Sequence, residues 1–91
     1  MKISHYRIVV KGRVQGVWFR KYTEKAANSY DLNGFVQNEK DGSVFIEAEG
    51  KEANLQLFVK WLEKGSPLSE VSEVIWSETD YVGYVGFEII L

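Results

Sequence analysis

Residues 12–20 read GRVQGVWFR, and they put two glycines, a glutamine and an arginine where an alternating apolar run gives way to a helix. Consecutive backbone N–H groups in a tight glycine-containing loop can point inward and form a nest for an anion. The N-terminus of the following helix adds unpaired N–H groups and a partial positive charge. Arg20 stands at that helix entrance, and a guanidinium matches phosphate geometry through paired hydrogen bonds. Gly12 and Gly16 are expected to let the backbone turn and approach the ligand closely. The chemistry indicated is recognition of a phosphate-like anion. The loop is neither a Walker A sequence nor GxGxxG, so a second reading stays open at this point: a structural turn with Arg20 solvated. Asn38 likewise has two readings. Its carboxamide can donate and accept at a site, or it can serve the turn that Asp41-Gly42 signals.

What surrounds the loop narrows the chemistry further. The chain has no cysteine and a single histidine. His5 opens the first predicted strand, far from that strand's C-terminal end, and is expected to be an edge or surface residue. No carboxylate cluster lies near the loop to hold magnesium, because turn chemistry accounts for Asp41 and solvation for Glu39. A phosphate site with no metal, thiol or imidazole can bind, neutralise charge and place a water. Phosphoryl transition states that are loose depend mainly on positioning and electrostatics. Such a site suffices when the leaving group is already good, as a carboxylate is and an alkoxide is not. A mixed carboxylic-phosphoric anhydride is therefore favoured over a phosphate ester.

The elements that must position these residues follow from periodicity. Residues 5–11 alternate Tyr6, Ile8 and Val10 against Arg7, Val9 and Lys11, a strand pattern. Residues 19–30 change to helical spacing, with Phe19, Tyr22, Ala26 and Tyr30 expected on one face. Residues 34–38 and 43–49 are short strands joined by a turn at Asp41-Gly42, and Val44, Ile46 and Ala48 face one way. Residues 52–64 place Leu55, Phe58, Val59 and Leu62 at i, i+3, i+4 and i+7, and Gly65 and Pro67 end that helix. Residues 71–76 and 86–91 add two more strands. The order β-α-β-β-α-β with a final strand predicts an α+β, ferredoxin-like split β-α-β sandwich. Two helices would cover one face of a mainly antiparallel sheet of four to five strands. In that topology the first and second strands run parallel with the third between them. The loop after strand one and Asn38 at the end of strand two would then meet at one sheet edge.

The whole chain is consistent with a single small domain over residues 1–91. Of its 91 residues 45% are hydrophobic and 26% charged, and the formal net charge is −2. That balance argues against general nucleic-acid binding, which draws on an excess of basic charge. The N-terminal apolar run is too short for a signal peptide, and no stretch is long enough to span a membrane. The expectations are a cytoplasmic protein, monomeric, with no membrane and no nucleic-acid partner.

Two blocks carry a family resemblance. Residues 12–20 match the pattern G-x-V-Q-G-V-x-F-R of the acylphosphatases. Residues 34–44, GFVQNEKDGSV, resemble that family's second signature, G-[WF]-V-x-N-x-x-D-G-S-V. The resemblance implies the ferredoxin-like fold and hydrolysis of acyl phosphates to carboxylate and inorganic phosphate, by water attack without a covalent intermediate. By position, it implies that Arg20 binds the substrate phosphate and Asn38 orients the attacking water. The backbone N–H groups of Gln15, Gly16, Val17, Trp18 and Phe19 would complete the cradle. No metal and no organic cofactor is implied, and the partner is a small-molecule acyl phosphate. Trp18 can touch the acyl group or belong to the core. The chain departs from the family at Asp31, which takes a position favouring left-handed geometry, and at its C-terminus, which lacks the common Arg-Tyr or Tyr.

Two other functions fit the element order. RNA-recognition domains share it, and residues 33–38, NGFVQN, contain a Gly-Phe-Val fragment of an RNP motif, but on the second strand rather than the third. The third strand is acidic. A non-catalytic acylphosphatase-like domain is the other alternative, opposed by the presence of both Arg20 and Asn38.

Overall fold

A computed structural model describes residues 2–91. The elements in chain order are β1 (Ile3–Arg13), α1 (Phe19–Ser29), β2 (Asn33–Asn38), β3 (Val44–Lys51), α2 (Glu52–Lys64), β4 (Glu70–Thr79) and β5 (Phe87–Ile90). The strands form one sheet in the order β4-β1-β3-β2-β5. β1 pairs antiparallel with both β3 and β4, β2 pairs antiparallel with β3, and β5 pairs parallel with β2. This is the expected ferredoxin-like α+β sandwich, with five strands. The fifth strand extends the sheet beyond β2.

Alternation in the central strands explains which face is covered. Tyr6, Ile8 and Val10 of β1 and Val44, Ile46 and Ala48 of β3 are fully buried. They meet Leu55, Phe58, Val59 and Leu62 of α2, which line one stripe of that helix. α1 contributes Phe19, Thr23, Ala26 and Ala27. The sequence placed Tyr22 on this face, and the structure corrects that: Tyr22 is 41% exposed. At 100° per residue, Thr23 falls within 40° of Phe19 while Tyr22 falls 60° to the other side. The helix settles on the side where small Ala26 and Ala27 allow close approach to the sheet.

His5 is a second correction. It is neither an edge nor a surface residue, since β1 is a central strand and His5 is 1% exposed. Its ring lies on the face away from the helices, with Nε2 2.7 Å from Glu47 and Nδ1 2.7 Å from the carbonyl oxygen of Asp80. The buried Glu49 carboxylate accepts hydrogen bonds from the backbone N–H groups of Val82, Gly83 and Tyr84. The segment between β4 and β5 is thereby strapped over one end of the sheet. At its far end Gly86 donates to Asn33 Oδ1 and accepts from the N–H of Gly34, which brings β5 alongside β2.

A bulge interrupts the β1–β4 register between Lys11 and Gly12. A Cβ on Gly12 would stand 2.1 Å from the Glu70 carbonyl oxygen, and φ there is +128°. Gly12 is thus required by the close approach of β4, not by a ligand as the sequence reading had it. Asp31 does adopt the left-handed geometry expected of it, with φ 60°. No helix among the described residues is long and apolar enough to cross a membrane.

Candidate active site

β1 and β2 run parallel through their shared neighbour β3, so both C-terminal ends emerge at the same edge of the sheet. The loop of residues 14–18 leaves β1 there, and Asn38 closes β2 opposite Val44. Gln15 holds the two segments together. Its Nε2 donates to the carbonyl oxygens of Glu39 and Ser43, each at 2.8 Å. Those two residues form the mouth of the β2–β3 hairpin, where Glu39 N–H also donates to Ser43 oxygen at 2.9 Å. The hairpin itself is fixed by Asp41, whose Oδ1 accepts from the Ser43 hydroxyl at 2.6 Å and from its N–H at 2.9 Å. The side-chain bond, then the backbone bond, holds the Asp41 carboxyl below its ordinary pKa.

The loop conformation rests on two residues in the left-handed region, Gly16 (φ 73°) and Trp18 (φ 62°). Glycine adopts this geometry freely, whereas for a bulky side chain it costs about 1–2 kcal/mol. Trp18 is also the N-cap of α1, and its side chain makes no capping hydrogen bond. The first backbone bond of the helix runs from Tyr22 N–H to Trp18 oxygen. The N–H groups of Phe19, Arg20 and Lys21 therefore have no partner inside the helix. The first turn carries no acidic residue that would neutralise its dipole.

Arg20 reaches across to the last strand, donating from one terminal nitrogen to the Ile90 carbonyl oxygen at 3.0 Å. A guanidinium has five N–H donors, so the remaining ones are free of this anchor. Ile90 pairs beside Gln37, one residue before Asn38. Gly16, Trp18, Phe19, Arg20 and Asn38 consequently line one cleft of about 500 Å³, together with Ile89 and Leu91 of the C-terminal segment. No acidic side chain, histidine or cysteine is among its lining residues. The Oδ1 atom of Asn38 is buried and has no hydrogen-bond partner among the described residues. Trp18 is not core: it is 74% exposed.

Of the residues singled out in the sequence, Gly16, Trp18, Phe19, Arg20 and Asn38 share this cleft. Val17 does not line it and instead packs, partly buried, against the core, and the Gln15 side chain is occupied by the hairpin. Sequence reasoning missed the Ile90 carbonyl that anchors Arg20 and the tether made by Gln15. A backbone acceptor some seventy positions away leaves no trace in residue types.

The arrangement is that of a ferredoxin-like sandwich whose glycine-turned loop, helix N-terminus, arginine and asparagine converge on one open cleft. The acylphosphatase family model matches residues 6–89. An acylphosphatase of Bacillus licheniformis is 47% identical over 85 residues, covering 92% of this chain and 94% of that protein. The crystal structure of acylphosphatase from Bacillus subtilis superposes with a TM-score of 0.93 at 42% identity, covering 99% of this chain and all of that one. A structure of an acylphosphatase from Coxiella burnetii gives a TM-score of 0.94 at 33% identity, covering 97% of this chain and 93% of that one. The chain belongs to the acylphosphatase family.

Proposed function

We propose that this protein is an acylphosphatase that hydrolyses acyl phosphates to carboxylate and inorganic phosphate by direct attack of water. Family membership supports the hydrolase activity. The observation that carries the mechanism is the buried, unpartnered Asn38 Oδ1 lining the same cleft as Arg20. In this reading the phosphate sits against the N–H groups of residues 15–19, at the start of α1, where the helix dipole favours negative charge. Arg20, pinned by Ile90, pairs with two phosphate oxygens. Asn38 Oδ1 accepts a hydrogen bond from a water and aims its lone pair at phosphorus. The new P–O bond forms as the bond to the acyl oxygen breaks, and the electron pair leaves on the carboxylate. The water proton passes to phosphate or solvent.

A carboxylate leaves without protonation, so the cleft's lack of an acidic side chain or histidine is no obstacle. An alkoxide would require a general acid. The substrate is thus a small acyl phosphate, and the chain acts as one domain and as a monomer, in the cytoplasm, without nucleic acid or metal. The cleft's lining residues offer no side-chain carboxylate or imidazole to hold a divalent cation. Phosphate release from benzoyl phosphate, compared with an alkyl phosphate such as glycerol 3-phosphate, whose leaving group is an alkoxide, tests the reading. Rapid turnover of the first and little of the second is expected. Comparable rates on both would overturn it, because they would require an acid or nucleophile that this cleft does not contain.

A further inference from the structure

Beside the cleft, a groove of about 340 Å³ runs between α1 and the segment that follows α2. Trp18 and Lys21 line both the cleft and the groove. Most of the groove's lining is apolar, with Val17, Trp18 and Tyr22 on one side and Pro67 and Leu68 on the other, and the side chains of Lys21 and Lys25 complete it. Three of these are large side chains left in solvent, Trp18 at 74%, Tyr22 at 41% and Leu68 at 62% exposure. The Lys21 ammonium on its rim is engaged by Glu24 at 2.9 Å. Arg13 donates to the Leu68 carbonyl oxygen at 3.1 Å, which ties the far wall to the end of β1.

The Trp18 backbone adds a second observation. An exposed residue whose side chain is bulky gains little from the protein's packing, yet this one is held at φ 62°, where glycine would be unstrained. Backbone strain of that kind clusters at active sites and ligand clamps.

We infer that this groove is the acyl subsite and that it selects acyl phosphates with an extended apolar acyl group. The inference rests on the acyl-phosphate hydrolysis proposed above. With phosphate in the cleft, the acyl carbon chain passes over Trp18, whose ring is common to both spaces, and lies between Tyr22 and Leu68. Burying methylene groups against these side chains is favourable, and acetyl is too short to reach them. The groove contributes binding to the part of the substrate that does not react, so its effect falls on kcat/KM for long acyl groups alone.

The test is hydrolysis of acetyl, butanoyl and hexanoyl phosphate, whose leaving carboxylates are of nearly equal basicity, by the wild type and by Leu68→Ala, Tyr22→Ala and the double variant. Neither residue contacts the cleft, so acetyl phosphate kcat/KM is expected to hold within about twofold in the variants. The wild type should prefer hexanoyl over acetyl by roughly tenfold or more, as burial of a few methylenes implies. Each single variant should erode that ratio about threefold, and the double variant should abolish it. Equal kcat/KM for the three substrates in the wild type, or a preference that survives in the double variant, overturns the acyl subsite while leaving the hydrolase intact. Failure to hydrolyse any of the three refutes the activity as well.

Discussion

Replacing Asn38 by alanine separates catalysis from folding in a way the structure makes quantitative. Asn38 Oδ1 has no hydrogen-bond partner among the described residues, so Asn38→Ala breaks no side-chain acceptor bond within the protein and loses only a few atoms of side-chain packing. The pairing of residue 38 with Val44 in the sheet is a backbone matter and survives. The net effect on stability should lie within about 1 kcal/mol, a Tm shift of no more than about 8 °C for a domain of this size. Catalysis should respond very differently. Losing one well-placed polar group that acts in the transition state costs roughly 10² to 10³ in kcat. Because Asn38 is assigned to the water, the affinity for inorganic phosphate should stay within about threefold, on the order of 0.7 kcal/mol. Calorimetric titration with phosphate, thermal unfolding and benzoyl phosphate turnover together make the assay. A folded variant that loses phosphate affinity in step with kcat would show that Asn38 holds the substrate, and the water-orienting role would be wrong. A fall in Tm well beyond 8 °C would show instead that the side chain supports the hairpin.

The remaining expectations concern the other parts of the design. Arg20→Ala should abolish turnover and also weaken phosphate binding by at least tenfold in calorimetry, since the phosphate charge is present in ground state and transition state alike; retained affinity would move phosphate recognition to the backbone alone. Activity should survive exhaustive chelation, and a loss that magnesium or zinc restores would replace the metal-free mechanism. Glu49→Ala strips the acceptor from three backbone N–H groups over the sheet, so it should destabilise by about 3–5 kcal/mol, read as a fall in Tm of at least about 12 °C. Asp41 has a folded pKa below its usual 3.8. Its contribution to stability is therefore present above that value and fades as pH falls through the depressed one, and Asp41→Asn should flatten the acid limb of a stability–pH profile between wild type and variant.

Much of this protein is local pattern. The alternation of Tyr6, Ile8 and Val10, the helical spacing of Leu55, Phe58, Val59 and Leu62, and the Asp41-Gly42 turn each reflect contacts among near neighbours, so the element order and the buried face could be read without coordinates. So could the meeting of the loop after β1 with Asn38, because it follows from strand order. What remained hidden depends on residues distant in sequence. His5 sits on the alternation face that Arg7 and Val9 share, which predicts exposure; only the crossing of residues 80–86, drawn down by Glu49, buries it. Tyr22 and Thr23 are equally compatible with a helix face, and the sheet chooses between them by where Ala26 and Ala27 let the backbones approach. Gly12 looked like a ligand contact until β4 was seen to pass against it. The anchor of Arg20 on Ile90 and the tether of Gln15 to Glu39 and Ser43 use backbone carbonyls, which every residue carries. Residue types can announce a strand, a helix or a guanidinium, but a carbonyl acquires a particular partner only when the chain has folded around it.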